Sequence, residues 1–188
     1  NDSHPKSIFL EAVTYNEVFR AIVSLNNSHS TGQDGITSKI LKISAFNVAN
    51  PLAQIINKSF MQGIFPEIFK TAKVIPIHKK GNFDIPQNYR PISLLSNVSK
   101  LFEKLMHARI YNFFCKNRLF YNNQFGFRKG RSTIDALITS INMILCEKAN
   151  DRHVIGLFFD LSKAFDTVDH FILLNKLHYY GIRGIVHN

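Results

Sequence analysis

In this 188-residue sequence, Asp160 is the carboxylate best placed to do chemistry, because of the residues that precede it. Four of the five residues at positions 155–159 are apolar, a short run that is typical of a fully buried β-strand. A carboxylate is costly to bury without a partner, so we expect Asp160 at the exposed C-terminal end of that strand. At such a position it could bind a divalent cation or a reacting group.

The residues that follow Asp160 would suit a nucleotide. Ser162 and Ala164 are small enough to let a ligand approach closely, and Phe165 has a flat side chain that could lie beneath a sugar. Two plainer interpretations remain open. Asp160 could cap a helix or form a turn, and Phe165 could be an ordinary core residue.

Positive charge is concentrated in one segment of the chain. The net charge is +10, and residues 70–131 hold thirteen of the 23 Lys and Arg residues but only two of the 13 acids, Asp84 and Glu103. This segment therefore carries an excess of eleven positive charges, while the rest of the chain is close to neutral. A scattered excess would indicate a solvated surface, but a localised one favours a polyanionic partner such as a nucleic acid.

Composition excludes several protein classes. Apolar residues make up 45% of the sequence and charged residues 19%, which is typical of a globular domain rather than of a disordered chain. No apolar run is long enough to span a membrane, and the polar N-terminus has no signal-peptide pattern, so we expect an intracellular protein of the nucleus or cytoplasm. Cys115 and Cys146 lack zinc or CxxC spacing and are predicted to be core residues.

Most of the elements that must position these residues are predicted to be helices. Thr14 and Glu17 have the spacing of a capping box before a first helix, and Pro51 is expected to open a helix that ends at Gly63. Ser96 can cap a long amphipathic helix. Further helical patterns cover 36–43, about 133–148 and about 167–181.

A short basic finger is predicted among these helices. Residues 74–77 have a strand pattern that contains Pro76, so the strand should lie at the edge of a sheet. A basic turn over 79–82 follows, and the chain returns through 89–93. We therefore expect two arms joined by a flexible tip.

Four segments, in order along the chain, resemble conserved motifs of reverse transcriptases, and more narrowly those of non-LTR, LINE-type and jockey-like retrotransposons. The segment 158–170, FFDLSKAFDTVDH, is similar to their first catalytic palm motif. The other three are similar to the loop ahead of the fingers, to the fingers motif and to the next conserved block: 32–36 (GQDGI), 73–81 (KVIPIHKKG) with 89–94 (YRPISL), and 124–133 (QFGFRKGRST). The resemblance implies an α/β (α+β) fold, the fingers and partial palm of a right-hand polymerase, with a short basic β finger and one buried palm strand.

The resemblance also implies a metal site at Asp160. Its carboxylate and the backbone carbonyl of Leu161 would bind Mg²⁺, with Mn²⁺ as the alternative, for a two-metal transfer of a nucleotide from a dNTP to a primer 3′-hydroxyl. Phe165 would stack below the incoming deoxyribose and act as a steric gate. Asp166 and Asp169 lie at the start of the last helical pattern, and we interpret them as a helix cap and a helix-dipole partner rather than as ligands.

Two groups of binding residues follow from the same resemblance. Arg90 would bind the dNTP triphosphate together with Lys79 or Lys80, and the pattern leaves open which lysine does so. Either lysine could instead be an ordinary surface charge. The RNA template would contact four residues of the next block, whose arginines could alternatively be solvated charges of a capping loop: Gln124, Gly126, Arg128 and Arg131.

The sequence departs from the family in lacking the Ala-Asp-Asp motif and the glycine-rich motif before it. We therefore expect a partial reverse transcriptase domain without the rest of the palm or the thumb. Residues from about 10 to 153 would be N-terminal helices, fingers and palm helices, and residues 154–188 would be the start of the palm. The partners of the parent enzyme would be an RNA template, a DNA primer and dNTPs, and this piece is expected to be inactive alone.

Two other functions compete with this one. A non-catalytic RNA- or DNA-binding remnant of a retroelement would explain the localised positive charge and the missing acids, and it stays open as the alternative. A small phosphatase or nuclease with an acid at a strand end is disfavoured, because the sequence offers no second cluster of His or Asp ligands.

Overall fold

The computed structural model describes residues 3–161 and 163–187. Within them the chain forms six α-helices, two β-strands and three short 3₁₀ turns. The helices are α1 (Tyr15–Val23), α2 (Ser38–Ile43), α3 (Ala45–Gln62), α4 (Asn97–Lys116), α5 (Thr133–Ala149) and α6 (His170–Tyr179), and the strands are β1 (Lys73–His78) and β2 (Tyr89–Leu94). This helix-rich mixture with a small antiparallel sheet confirms the predicted α/β (α+β) class. None of the described helices is long and apolar enough to cross a membrane.

The described chain divides into two compact units, and the hydrophobic core lies in the first. This unit comprises residues 3–113 and 174–187, and the second comprises residues 114–161 and 163–173. Helices α1, α3 and α4 supply most of the core side chains, and α1 packs against α3. Small side chains at a helix contact allow close approach, and three buried alanines of α3 are spaced four residues apart: Ala45, Ala49 and Ala53.

Of three predicted ends of α1 and α3, two are confirmed and one is wrong. Thr14 and Glu17 form the capping box of α1, and Gly63 ends α3 in a left-handed conformation with φ 66°. Pro51 does not open α3 but lies inside it, because the helix begins earlier, at Ala45. Since Pro51 is exposed, its ring faces solvent and the helix loses one backbone hydrogen bond at a position that water can reach.

Strands β1 and β2 form the predicted finger, an antiparallel pair in which Pro76 lies opposite Pro91. A two-stranded sheet has only edge strands, which tolerate proline because an unpaired edge needs no N–H donor. The tip between the strands is joined by internal hydrogen bonds, and its predicted flexibility stays a prediction. The side-chain amide of Asn88 donates to the Asn82 carbonyl oxygen at 2.7 Å.

The second unit is built around α5, and none of its described residues is fully buried. Ser132 and Asp135 form a capping box at the start of this helix. The Ser132 hydroxyl donates a hydrogen bond to the Asp135 carboxylate, and the Ser132 backbone N–H donates a second one. These bonds, the first having the larger effect, hold the pKa of the Asp135 carboxyl below the ordinary value of 3.8. Cys115 and Cys146 are both exposed, so their prediction as core residues is wrong.

The buried palm strand predicted at residues 155–159 is also wrong. The structure has no regular secondary structure there, and Phe158 and Phe159 are 98% and 88% exposed. A strand needs a neighbour for its backbone N–H and C=O groups, and the two described strands pair with each other. The described chain therefore supplies neither a hydrogen-bonding partner nor an apolar cover for this segment.

Candidate nucleotide and nucleic-acid interface

The finger presents two of the predicted triphosphate-binding residues on one face. Arg90 lies opposite Ile77 in the strand register, and the Lys79 N–H continues the pairing by donating to the Asn88 carbonyl oxygen at 2.7 Å. Because side chains alternate between the faces of a strand, this register assigns Lys79 to the Arg90 face. Lys80 lies in the bend that follows, where the alternation ends. All three basic residues are exposed.

Arg128, one of the predicted template-binding residues, is braced within the second unit. Its guanidinium lies over the Phe120 ring, 4.9 Å from the ring centroid, and Nη1 donates to the Tyr121 carbonyl oxygen at 3.0 Å. Its Nε is shielded from solvent and has no hydrogen-bond partner among the described residues. Arg128 is therefore a half-buried, positioned side chain rather than a freely solvated charge.

The other predicted template residues lie in the same loop. Gln124 Nε2 donates to the Gly126 carbonyl oxygen at 3.2 Å, and the Arg131 guanidinium lies 5.7 Å from the Phe125 ring centroid. A Cβ added at Gly126 would meet no described atom within 4 Å. The backbone of the loop is therefore open to close approach by a ligand at this point.

Phe127 belongs to this group, although the sequence reasoning did not select it. It has φ 59°, a strained conformation for a bulky residue, and its side chain is 89% exposed. Its ring meets Phe165 edge to face, with the centroids 6.2 Å apart. The structure thus joins the predicted sugar-contacting residue to the predicted template loop. The sequence signal for Phe127 is its place between Gly126 and Arg128.

Asp160 lies in an exposed segment of the second unit. Phe165, five residues later, is 80% exposed, so the alternative that it is an ordinary core residue is wrong. Asp169 Oδ1 accepts the N–H of Ile172 at 3.0 Å, which confirms Asp169 as the cap of α6. Ser162, the small residue expected near the nucleotide, lies outside the described residues.

The described residues supply only part of a metal site. The carboxylate of Asp160 and the carbonyl of Leu161 are oxygen donors of the kind that Mg²⁺ prefers. However, residues 3–161 and 163–187 contain no group of three or more His, Cys, Asp or Glu side chains that could hold a metal ion. Two neighbouring cations need several anionic ligands, so these donors do not fit a complete two-metal site.

The loop at residues 32–36 fixes the base of the finger, where β2 leads into α4. Asp34 Oδ2 accepts the Ser96 hydroxyl at 2.6 Å, and Asn97 Nδ2 donates to the Ile36 carbonyl oxygen at 2.7 Å. Gly32 approaches so closely that a Cβ there would lie 2.5 Å from the Ser96 backbone nitrogen. This loop therefore holds one arm of the finger against the core of the first unit.

Arg109, which was counted in the basic segment, has a structural role instead. Its Nε donates to the Glu11 carbonyl oxygen at 2.8 Å, and Nη2 donates to the Ala12 carbonyl oxygen at 3.3 Å and to the Glu17 carboxylate at 3.4 Å. Its guanidinium also lies 5.6 Å from the Phe60 ring centroid. With its side chain only 12% exposed, Arg109 is not available to a phosphate backbone.

Comparison with known proteins agrees with the motifs. Residues 77–187 match the reverse transcriptase (RNA-dependent DNA polymerase) family. Three relatives from Drosophila melanogaster are similar over most of this chain: the probable RNA-directed DNA polymerase from transposon BS (33% identity over 94% of the chain), the RNA-directed DNA polymerase from mobile element jockey (34% over 90%) and the probable RNA-directed DNA polymerase from transposon X-element (33% over 86%).

The chain spans about a fifth of the length of these relatives: 20%, 19% and 18%, respectively. The family match covers more than half of the chain and contains the fingers motif from residue 77 onward, the block at 124–133 and the Asp160 motif. The resemblance to jockey-like, non-LTR elements is confirmed, and this chain belongs to the reverse transcriptase family.

Proposed function

We propose that this chain is the fingers and first palm segment of an RNA-directed DNA polymerase that extends a DNA 3′-end on an RNA template with dNTPs. The observation that carries the proposal is the edge-to-face contact of Phe165 with Phe127. It joins a residue proposed to contact the nucleotide sugar to the loop proposed to contact the template. A polymerase needs this arrangement, because the incoming nucleotide must pair with a template base.

The triphosphate is proposed to bind on the finger face that carries Lys79 and Arg90. The strand register favours Lys79 over Lys80, because Lys79 is on the same face as Arg90. A guanidinium can bind phosphate oxygens through two parallel hydrogen bonds, while an ammonium acts as a mobile point charge. Phe165 is proposed to lie below the deoxyribose, for which its exposure leaves room.

The template is proposed to contact Gln124, Gly126, Arg128 and Arg131. Two features support this assignment: the open backbone at Gly126 and the fixed guanidinium of Arg128. A braced arginine loses less conformational entropy when it binds a phosphate than a freely rotating one. An exposed aromatic ring beside it, Phe127, is suited to stacking on an unpaired base.

The division into parts is proposed as well. Residues from about 10 to 153 would form N-terminal helices, fingers and palm helices, and residues 154–188 the start of the palm. Asp160 and the Leu161 carbonyl would hold Mg²⁺ or Mn²⁺, which supplies charge stabilisation for the two-metal reaction when bound. The remaining ligands, the rest of the palm and the thumb would come from the parent protein, which acts in the nucleus or cytoplasm where RNA and dNTPs occur.

Activity of the 188-residue chain tests this division directly. With one carboxylate at its metal site, the chain is expected to show no primer extension on an RNA template with dNTPs and Mg²⁺ or Mn²⁺. The measurement is incorporation of labelled nucleotide, with Asp160→Ala as the comparison. Incorporation that Asp160→Ala abolishes would show that the described residues suffice for catalysis, and the proposed division would be wrong.

RNA binding tests the template loop and the binding-only alternative, which the localised positive charge supports. Fluorescence anisotropy with a labelled single-stranded RNA is measured across a salt series. Replacing both Arg128 and Arg131 with alanine is expected to weaken binding and to lower the salt slope by about 1.4, since each phosphate contact contributes about 0.7. Asp160→Ala should leave affinity unchanged.

Lys148→Ala provides a matched control, because Lys148 is an exposed basic residue of the same unit at the far end of α5. This variant should bind RNA as the unaltered chain does. If it weakens binding as much as the double arginine variant, the charge of the unit binds RNA without a defined site, and the assignment of the template loop fails.

A further inference from the structure

The finger face opposite Lys79 and Arg90 carries an aromatic cluster, formed by His78, Phe83 and Tyr89. The imidazole of His78 stacks on Phe83 with ring centroids 4.2 Å apart and planes 22° apart. The Tyr89 ring, directly across the strand pair, meets His78 edge-on at 5.2 Å. His78 is thus the central ring of a cluster that joins the end of β1, the tip and the start of β2.

Hydrogen bonds join the same cluster to the backbone of the tip. His78 Nε2 lies 3.1 Å from the Gly81 carbonyl oxygen, a hydrogen bond in which the ring N–H donates. The Tyr89 hydroxyl donates to the Phe83 carbonyl oxygen at 3.0 Å. His78 therefore contacts both sides of the two-residue turn that contains Lys79 and Lys80.

Gly81 shows how tightly this turn is closed. Its φ of 90° is in the region that favours glycine, and a Cβ there would lie 2.7 Å from the side-chain nitrogen of Asn88. Asn88 in turn accepts the Lys79 N–H through its carbonyl oxygen at 2.7 Å. The backbone of Lys79 is consequently held from the strand side by Asn88 and from the tip side by the His78–Gly81 bond.

We infer that His78 is a positioning residue for the triphosphate site: it braces the turn from behind and so presents Lys79 beside Arg90. This role rests on the proposed function of the finger. His78 makes no contact with the triphosphate, because its ring lies on the face opposite Arg90. Its contribution is to reduce the entropy that the turn loses when an anion binds.

Binding of inorganic tripolyphosphate to the 188-residue chain tests the role, measured by isothermal titration calorimetry. His78→Ala is expected to weaken binding by about fivefold without changing its salt dependence, because the His78 ring does not contact the anion. Lys79→Ala should both weaken binding and reduce its salt dependence. His107→Ala, which removes an exposed histidine of α4, is the matched control and should bind normally.

Two further variants separate the contacts of His78. His78→Phe keeps a ring for Phe83 but removes the donor to Gly81, and His78→Gln keeps a donor but removes the ring. Each should restore part of the lost affinity. Hydrogen exchange at the Lys79 amide supplies a second readout, because its bond to Asn88 should open more often in His78→Ala than in the unaltered chain.

The possible results distinguish a failure of the triphosphate site from a failure of the role of His78. If the unaltered chain does not bind tripolyphosphate, or if Lys79→Ala has no effect, the triphosphate site itself is wrong and the role of His78 falls with it. If binding requires Lys79 but His78→Ala binds as tightly as the unaltered chain, the role of His78 is wrong and the site stands. Equal weakening in His107→Ala would also overturn the role of His78.

Discussion

Replacing Gly32 with alanine is expected to lower the free energy of unfolding of the first unit by about 3 kcal/mol. The new Cβ would lie 2.5 Å from the Ser96 nitrogen, whereas ordinary contacts begin at 3.4 Å. The loop would therefore have to withdraw by about 0.9 Å. That displacement would stretch the Ser96–Asp34 and Asn97–Ile36 hydrogen bonds, now 2.6 and 2.7 Å, to or beyond 3.5 Å.

The expected decrease in the free energy of unfolding follows from the loss of these two hydrogen bonds. The bond to the Asp34 carboxylate, which is partly exposed, contributes about 1.5 kcal/mol, and the neutral bond from Asn97 contributes about 1 kcal/mol. Residual strain at Ser96 adds about 0.5 to 1 kcal/mol. Because the closest atoms belong to the backbone, a change of side-chain rotamer cannot relieve the contact.

Urea denaturation followed by circular dichroism measures this change, since the chain has no Trp to serve as a fluorescent probe. Gly126→Ala is the matched control: the same substitution at a glycine with open space around it should change stability by less than about 0.5 kcal/mol. A loss below about 1 kcal/mol in Gly32→Ala would refute the reasoning, because the loop would then tolerate displacement without losing its two hydrogen bonds.

Three other outcomes are expected. Arg109→Met should lower the free energy of unfolding by about 2 to 3 kcal/mol in urea denaturation, because it removes the hydrogen bonds to the Glu11 and Ala12 carbonyl oxygens and the ion pair with Glu17, and Arg109→Lys should restore only part of this loss. The lowered pKa of Asp135 means that the capping box contributes stability above pH 3.8, and this contribution should disappear as the pH falls through the lower folded-state pKa. Carboxyl NMR titration should show the shift, and Ser132→Ala should reduce it, because the backbone N–H at position 132 still donates to Asp135. Gly126→Ala should weaken RNA binding in the anisotropy assay while leaving stability unchanged, whereas unchanged affinity would argue against close approach of the template there.

Local features of the fold could be predicted from the sequence because their causes are local. The capping box at Thr14 and Glu17 needs only residues three apart, and the end of α3 needs only a glycine at position 63. The finger was predictable from Pro76 and the basic turn. In each case a few neighbouring side chains determine the backbone conformation.

The errors concern features that depend on distant parts of the chain. Pro51 was placed at a helix start because proline favours that position, but the helix extends further because Ala45 and Ala49 are buried in the core. The apolar run at 155–159 has the composition of a buried strand, but burial requires a neighbouring strand and a cover. The composition of the segment therefore predicts burial, but the neighbouring strand and the cover must come from other parts of the protein.

The site shows the same limit. Sequence motifs identified Lys79, Lys80 and Arg90 as a group, but only the register of β1 with β2 shows which lysine is on the same face as the arginine. Similarly, no sequence motif singles out Phe127, and its relevance follows only from the contact of its ring with Phe165. Motifs therefore predict which residues could form a site, and strand pairing and side-chain packing show which of them lie together.

The basic residues at positions 70–131 do not all contribute equally to binding a nucleic acid, because some of them are already paired within the protein. Arg109 is paired with Glu17 and two carbonyl oxygens, and Lys70 is paired with Glu67 at 2.5 Å. A basic residue that is already paired within the protein displaces fewer counterions from a nucleic acid, although it counts fully in the net charge. The salt dependence of RNA binding should therefore correspond to fewer phosphate contacts than the thirteen basic residues of this segment would suggest.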